Sequence, residues 1–196
     1  IIPIEANIKD AIDIFYMVNT GGITLTDAEL ALAQISGYWE EARELFKKKL
    51  FELSEKGFSF KLDFIVYVLL GIIYQSGDEM KKLHSSENSD KIKEVWNVLD
   101  KYVLDYVINI LRSKGFVDHT DEINSYYALV PIIVYYYKKF TKGEKAFSNE
   151  EINKILRWFY YSQIRNRYIS QLPQKLTKDN KIAWESSSPF ENLLAL

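Results

Sequence analysis

Basic and aromatic side chains are concentrated in one stretch of the sequence, between Lys154 and Lys181. The stretch contains a single acid, Asp179, and seven basic residues: Lys154, Arg157, Arg165, Arg167, Lys175, Lys178 and Lys181. This is a local excess of about six positive charges in a chain whose net charge is −2. Any attraction of the chain for a polyanion must therefore be local, because the molecule as a whole is slightly acidic.

The spacing within this stretch predicts a binding surface for phosphates and bases. Arg157, Tyr161 and Arg165 recur every four residues and so share one helix face, and further basic and aromatic residues follow closely: Arg167, Tyr168 and Lys175. Arginine forks match phosphate oxygens, and aromatic rings stack on nucleobases. The same pattern is also typical of a solvated basic helix face that acids elsewhere balance, and this alternative stays open.

No other group of residues in the sequence has the spacing of an active site. The two histidines, His84 and His119, lie in separate polar stretches without partners at metal-ligand spacing, and we expect both at the surface. The chain has no cysteine, no Ser-His-Asp arrangement and no phosphate-binding GxxxxGK[ST] loop. The sequence therefore predicts no catalytic residue, no metal ligand and no cofactor site in this chain.

The composition is that of a water-soluble globular domain. Hydrophobic residues make up 47% of the 196 residues and aromatic residues 15%, which is enough for one sizeable core. The longest apolar run, Phe64–Tyr74, is much shorter than the ~20 residues that cross a bilayer, so we expect no membrane partner. The absence of cysteine fits a reducing compartment, and we expect a cytoplasmic protein.

Apolar residues recur at helical spacing through most of the chain, and no strand-like alternation follows residue 6. The predicted helices are Ile8–Val18, Asp27–Ser36, Tyr38–Glu55, Leu62–Tyr74, Asp90–Lys114, Asn124–Lys139, a helix opened by Ser148 that runs to Ser170, and a short apolar tail, Pro189–Leu196. Pro131 is expected to kink its helix, and Gln171–Asn180 is expected to form a turn that contains Pro173 and at most one helical turn.

This pattern predicts an all-α fold, an irregular bundle of about seven or eight helices with a short extended lead-in at Ile1–Ala6. We expect a single domain over residues 1–196. The polar segment His84–Asp90 divides the chain into similar halves, so two lobes, 1–83 and 90–196, are the alternative arrangement. The chain begins without a start methionine or a signal-like segment, and we expect it to be a piece of a longer protein.

The stretch Ala11–Ser36 combines a glycine corner with a strong helix start. Gly21 and Gly22 follow the first predicted helix, where glycine supplies positive φ at a helix end. Thr26 and Glu29 then have the spacing of a capping box, in which each side chain bonds the other residue's backbone. On local grounds alone, the stretch predicts a helical hairpin with a rigid corner.

The same stretch resembles a known family. Ile14-Phe15, Val18-Asn19-Thr20-Gly21-Gly22 and Leu25-Thr26-Asp27-Ala28-Glu29-Leu30 are similar, at the same spacing, to the signature of the domain-of-unknown-function 262 family. That family includes the GmrSD-type modification-dependent restriction proteins. A looser similarity to the family's late segment covers Trp158–Asp179, in which Ile169 separates Tyr168 from Ser170.

The resemblance implies a helical part of a restriction- or defence-type protein. In this family, ParB-like chemistry and nucleotide hydrolysis are placed in an N-terminal α/β domain with an Asp-Gly-Gln-Gln-Arg motif, which these 196 residues lack. The missing domain would then be a partner of this chain, faced by Asn19, Gly21 and Gly22, and it would use an NTP and a divalent metal. DNA is a further partner that the resemblance suggests. A helical protein-interaction module without a nucleic-acid role is the alternative function.

Overall fold

The computed structural model describes residues 26–195, which form eight helices and, within that range, no strand. The helices are α1 (Asp27–Tyr38), α2 (Ala42–Ser54), α3 (Leu62–Tyr74), α4 (Ser89–Val98, continued by a π-helical turn Leu99–Val103 and by Leu104–Gly115), α5 (Leu129–Thr141), α6 (Asn149–Ile164), α7 (Leu172–Glu185) and α8 (Pro189–Leu194). The predicted all-α class is confirmed. The predicted lead-in, first helix and glycine corner lie outside the described residues.

Helix α3 is the centre of the fold. Its side chains are apolar on every face, and α1, α2, α4, α5 and α7 all pack against it. Gly71 lets α5 and α7 approach α3 closely, since an added Cβ would lie 2.8 Å from both Val134 Cγ2 on α5 and Asn180 Nδ2 on α7. One continuous hydrophobic core thus joins residues from both halves of the described chain.

Two capping boxes that the sequence predicted are present and fix where α1 and α6 begin. The Glu29 N–H donates to Thr26 Oγ1 (3.3 Å), and the Thr26 N–H donates to a carboxylate oxygen of Glu29 (2.8 Å). Ser148 and Glu151 repeat the arrangement at 3.2 and 2.8 Å. Both boxes satisfy backbone donors that a helix start otherwise leaves open.

The prediction of a turn at Gln171–Asn180 was wrong. Helix α6 ends at Ile164 instead of Ser170, and α7 occupies most of the expected turn. Pro173 is at the second position of α7, where a missing N–H breaks no helical hydrogen bond. Pro131 likewise lies in the first turn of α5. It therefore removes no hydrogen bond of the helix, and the kink predicted on that ground has no cause.

No helix within residues 26–195 has both the length and the apolar character needed to cross a lipid bilayer.

Candidate functional site

The turn between α6 and α7 brings the basic and aromatic residues of the two helices together. After α6 the chain reverses at Asn166, whose φ is 51°, and the Arg167 N–H donates to the Ser162 carbonyl (3.0 Å). A second left-handed residue, Gln171 at φ 55°, then begins α7. The end of α6 and the start of α7 thus lie on either side of one cavity.

This cavity has a volume of about 150 Å³ and contains four of the six residues predicted to bind phosphates and bases. Its walls are Tyr161, Arg165, Arg167 and Lys175, and buried Trp158, Ser162 and Leu193 complete the lining. No carboxylate is among the lining residues. The walls are therefore basic, while Trp158 and Leu193 make part of the surface apolar.

Arg165 and Lys175 supply the positive charge of the cavity. The Arg165 guanidinium lies 4.4 Å from the centre of the Tyr161 ring, in a cation–π contact that holds it beside the aromatic face. Neither Arg165 nor Lys175 forms an ion pair with any residue between 26 and 195. Their charges are thus not neutralised within the described part of the chain, and an anion in the cavity would meet both.

Arg167 is engaged in the fold instead. Its Nε and Nη2 donate to the two carboxylate oxygens of Asp179 at 2.7 and 2.6 Å, and the Tyr168 hydroxyl also donates to Asp179. Burial, with the nearby Asp179 charge, raises the pKa of Tyr168 well above its usual value, so the hydroxyl keeps its proton. The Arg167 charge is therefore balanced, and only its remaining N–H groups are available to a ligand.

Three more residues of the basic stretch are not available at the cavity. Tyr168 is only 4% exposed, so its ring has no open face on which a base could stack. Lys154, counted in the basic stretch, is paired with Glu150 (2.6 Å) and Glu191 (2.8 Å). Arg157 is exposed on α6 but does not line the cavity. The free basic surface is thus smaller than the sequence suggested.

The sequence reasoning missed three lining residues: Trp158, Ser162 and Leu193. Trp158 and Ser162 are four residues apart on α6, and the same helical spacing that selected Tyr161 and Arg165 could have identified them. Leu193 carried no such signal, since only the packing of α8 against α6 and α7 brings it to the cavity.

The histidines lie away from this cavity. The His119 Nδ1 accepts a hydrogen bond from the Asp121 N–H (3.2 Å) at the start of a short 3₁₀ turn, and His84 ends another such turn, Met80–His84. Between residues 26 and 195, no three or more His, Asp or Glu side chains are grouped so that they could hold a metal ion.

The other predicted contact surface, formed by Asn19, Gly21 and Gly22, lies outside the described residues. Comparison of the chain with protein-family models, with curated proteins and with solved structures gave no match.

Proposed function

We propose that this helical domain is the substrate-facing scaffold of a restriction- or defence-type NTPase or nuclease, and that it contacts nucleic-acid phosphate at the cavity between α6 and α7. Catalysis is assigned to the N-terminal α/β domain that the resemblance implies, together with an NTP and a divalent metal. The chain itself contributes the fold and the ligand contact. Arg165 and Lys175, two cations without ion pairs in the described chain that flank one cavity, are the observation that carries the proposal.

The chemistry of the cavity suits a phosphate next to an unpaired base. The planar Arg165 fork can donate two hydrogen bonds to phosphate oxygens, and Lys175 adds a point charge from the opposite helix. Tyr161 is half-buried and the Arg165 guanidinium lies over its ring, so a base beside that phosphate would stack on the guanidinium plane or on the part of the ring that Arg165 leaves uncovered. Single-stranded nucleic acid offers both groups together, whereas in a duplex the bases are already stacked.

A salt titration of oligonucleotide binding tests the proposal. A labelled single-stranded DNA is titrated with the chain at several salt concentrations, and the logarithm of the association constant is plotted against that of the salt. Arg165→Gln and Lys175→Gln should each weaken binding and reduce the slope by about 0.7, the value for one lost phosphate contact. Tyr161→Leu should weaken binding by about 1–3 kcal/mol and leave the slope unchanged, because stacking releases few counterions.

Lys178→Gln is the matched control. It removes one exposed lysine from the same helix as Lys175 but from outside the cavity lining. Its effect should be clearly smaller than that of Lys175→Gln. If the parent chain binds no oligonucleotide, or if the three cavity variants bind as the parent does, the phosphate-binding function is wrong.

Exposed apolar side chains support the alternative function, a protein-interaction module. Phe116 is 85% exposed and sits in the left-handed region at φ 51°, and the Tyr160 hydroxyl donates to the carbonyl of the residue before it, Gly115. Ile164, one turn after Tyr160 on α6, is also exposed. These three side chains are large and apolar, and such groups at a surface often mark contact with another protein. The alternative is preferred if the cavity variants leave binding unchanged.

A further inference from the structure

We infer that the cavity between α6 and α7 accepts a terminal phosphate monoester of a nucleic-acid strand in preference to an internal phosphodiester. The inference rests on the proposed function and specifies the ligand of the same cavity. Three properties of the cavity carry it: the volume, the charge and the hydrogen-bond donors that the lining offers.

The cavity is small for a whole nucleotide and suits a smaller group such as a phosphate. Sites for drug-sized ligands enclose about 300–1,000 Å³. The cavity measures about 150 Å³, which is below this range. An internal phosphodiester continues into a sugar on both sides and so cannot enter end-on. A terminal phosphate has one substituent, which can leave through the mouth.

The charge of the lining matches a monoester better than a diester. Arg165 and Lys175 together supply two positive charges, since the Asp179 carboxylate balances Arg167. A phosphate monoester carries about −1.5 to −2 at pH 7, because its second pKa is about 6. A diester carries only a single negative charge. Filling the cavity with a diester would thus leave part of the positive charge without a partner.

The lining offers a phosphate few hydrogen-bond donors besides its basic side chains. Trp158 and Leu193 are buried and apolar, so they offer a phosphate oxygen nothing beyond the Trp158 indole N–H. The Ser162 hydroxyl already donates to the Phe159 carbonyl (2.6 Å). The donors available to a phosphate therefore come chiefly from Arg165, Lys175 and the unused N–H groups of Arg167. A terminal phosphate exposes three oxygens to such donors, and the first base can then lie on Tyr161.

The test compares one oligonucleotide sequence with four kinds of end. Single-stranded DNA with a 5′-phosphate, with a 3′-phosphate, with both ends as hydroxyls, and closed into a circle is titrated with the chain at constant salt and pH 7.5. At least one linear phosphorylated strand should bind about tenfold or more tightly than the hydroxyl-ended and circular strands. The two phosphorylated forms also show which end the cavity takes.

Variants and a pH series distinguish recognition of the terminal phosphate from general electrostatic attraction between the strand and the protein. Arg165→Gln and Lys175→Gln should abolish the preference for the phosphorylated end, while Lys178→Gln should retain it. The preference should also shrink as the pH falls through about 6, because the terminal phosphate then loses one of its two charges. Thermal melting of each variant checks that the fold is kept.

Three outcomes would overturn the inference, and they can be told apart. Equal affinity for all four strands, with Arg165→Gln still weakening every one of them, would rule out the terminal preference and leave the proposed function intact. No binding of any strand would contradict both. A preference for phosphorylated ends that survives both cavity variants would place the end-binding site elsewhere on the protein and would also overturn the inference.

Discussion

Arg167 and Asp179 form a two-point ion pair that ties the turn after α6 to the middle of α7. Arg167 Nε lies 2.7 Å from one carboxylate oxygen of Asp179, and Nη2 lies 2.6 Å from the other. Asp179 is fully buried, whereas the Arg167 side chain is 20% exposed at the cavity. The pair thus holds one wall of the cavity in place and removes one positive charge from those that a ligand could use.

Replacing Asp179 by Asn should destabilise the fold strongly. The variant keeps the shape of the side chain but leaves the Arg167 charge, itself largely buried, without its partner, which costs roughly 3 kcal/mol. Urea unfolding of the variant against the parent measures this loss. Asp121→Asn, at an exposed carboxylate, should change stability by less than about 0.5 kcal/mol.

A double variant separates charge pairing from packing. Arg167→Met with Asp179→Leu removes both charges together, and it should cost less than Asp179→Asn alone, because no unpaired charge remains in the interior. A double variant at least as unstable as the single one would show that shape, and not the ion pair, fixes this turn.

Lys49 stabilises the π-helical turn of α4. In this turn the Leu104 N–H donates to Leu99, five residues earlier, and Lys49 Nζ donates to the Asp100 carbonyl (2.7 Å) and to Asp105 (2.7 Å). Burial alone would lower the pKa of Lys49, but the carboxylates of Asp105 and Asp100 outweigh it and raise the pKa, so the ammonium keeps its charge.

Lys49→Met should therefore cost roughly 1.5–3 kcal/mol, the range for hydrogen bonds to charged groups. Methionine retains most of the apolar stem, so the loss reports on the ammonium. Lys48→Met, at the exposed neighbouring position, is the control and should be nearly neutral in the same urea unfolding experiment. Similar losses for the two variants would mean that the contact with the π turn contributes little.

Glu151 should make stability sensitive to acid. Burial alone would raise its pKa, but hydrogen bonds from Lys139, the Ser148 N–H and Tyr135 together lower the pKa from 4.5 to about 2. A carboxylate with a lowered folded-state pKa stabilises the fold above its unfolded pKa. That contribution is lost as the pH falls from about 4.5 towards 2.

The free energy of unfolding, measured across this pH range, should fall more steeply for the parent than for Glu151→Gln, which has no carboxylate to protonate there. At neutral pH the variant should be the less stable of the two. Glu150→Gln, at the adjacent exposed position, should keep the steep acid dependence of the parent. If Glu151→Gln is as sensitive to acid as the parent, its hydrogen bonds do not contribute to the native state in solution.

Patterns among residues close together in the sequence were sufficient to predict much of the fold. The helix Leu62–Tyr74 was predicted with the bounds that α3 has, because its apolar run lies between polar segments. Thr26 and Ser148 marked two helix starts correctly, since a capping box depends on residues only three positions apart. Tyr161 and Arg165, four residues apart, were likewise placed together by helical periodicity.

Tertiary structure decided which of the predicted site residues remain available to a ligand. The sequence shows a basic stretch, but it does not show that Asp179 turns back onto Arg167 or that Tyr168 enters the core. Lys175 and Leu193 reach the cavity only because α7 and α8 pack against α6. Charge and periodicity are properties of the local chain, whereas burial and ion pairing depend on which distant helices meet. The packing of the apolar helix faces around α3 determines which helices those are.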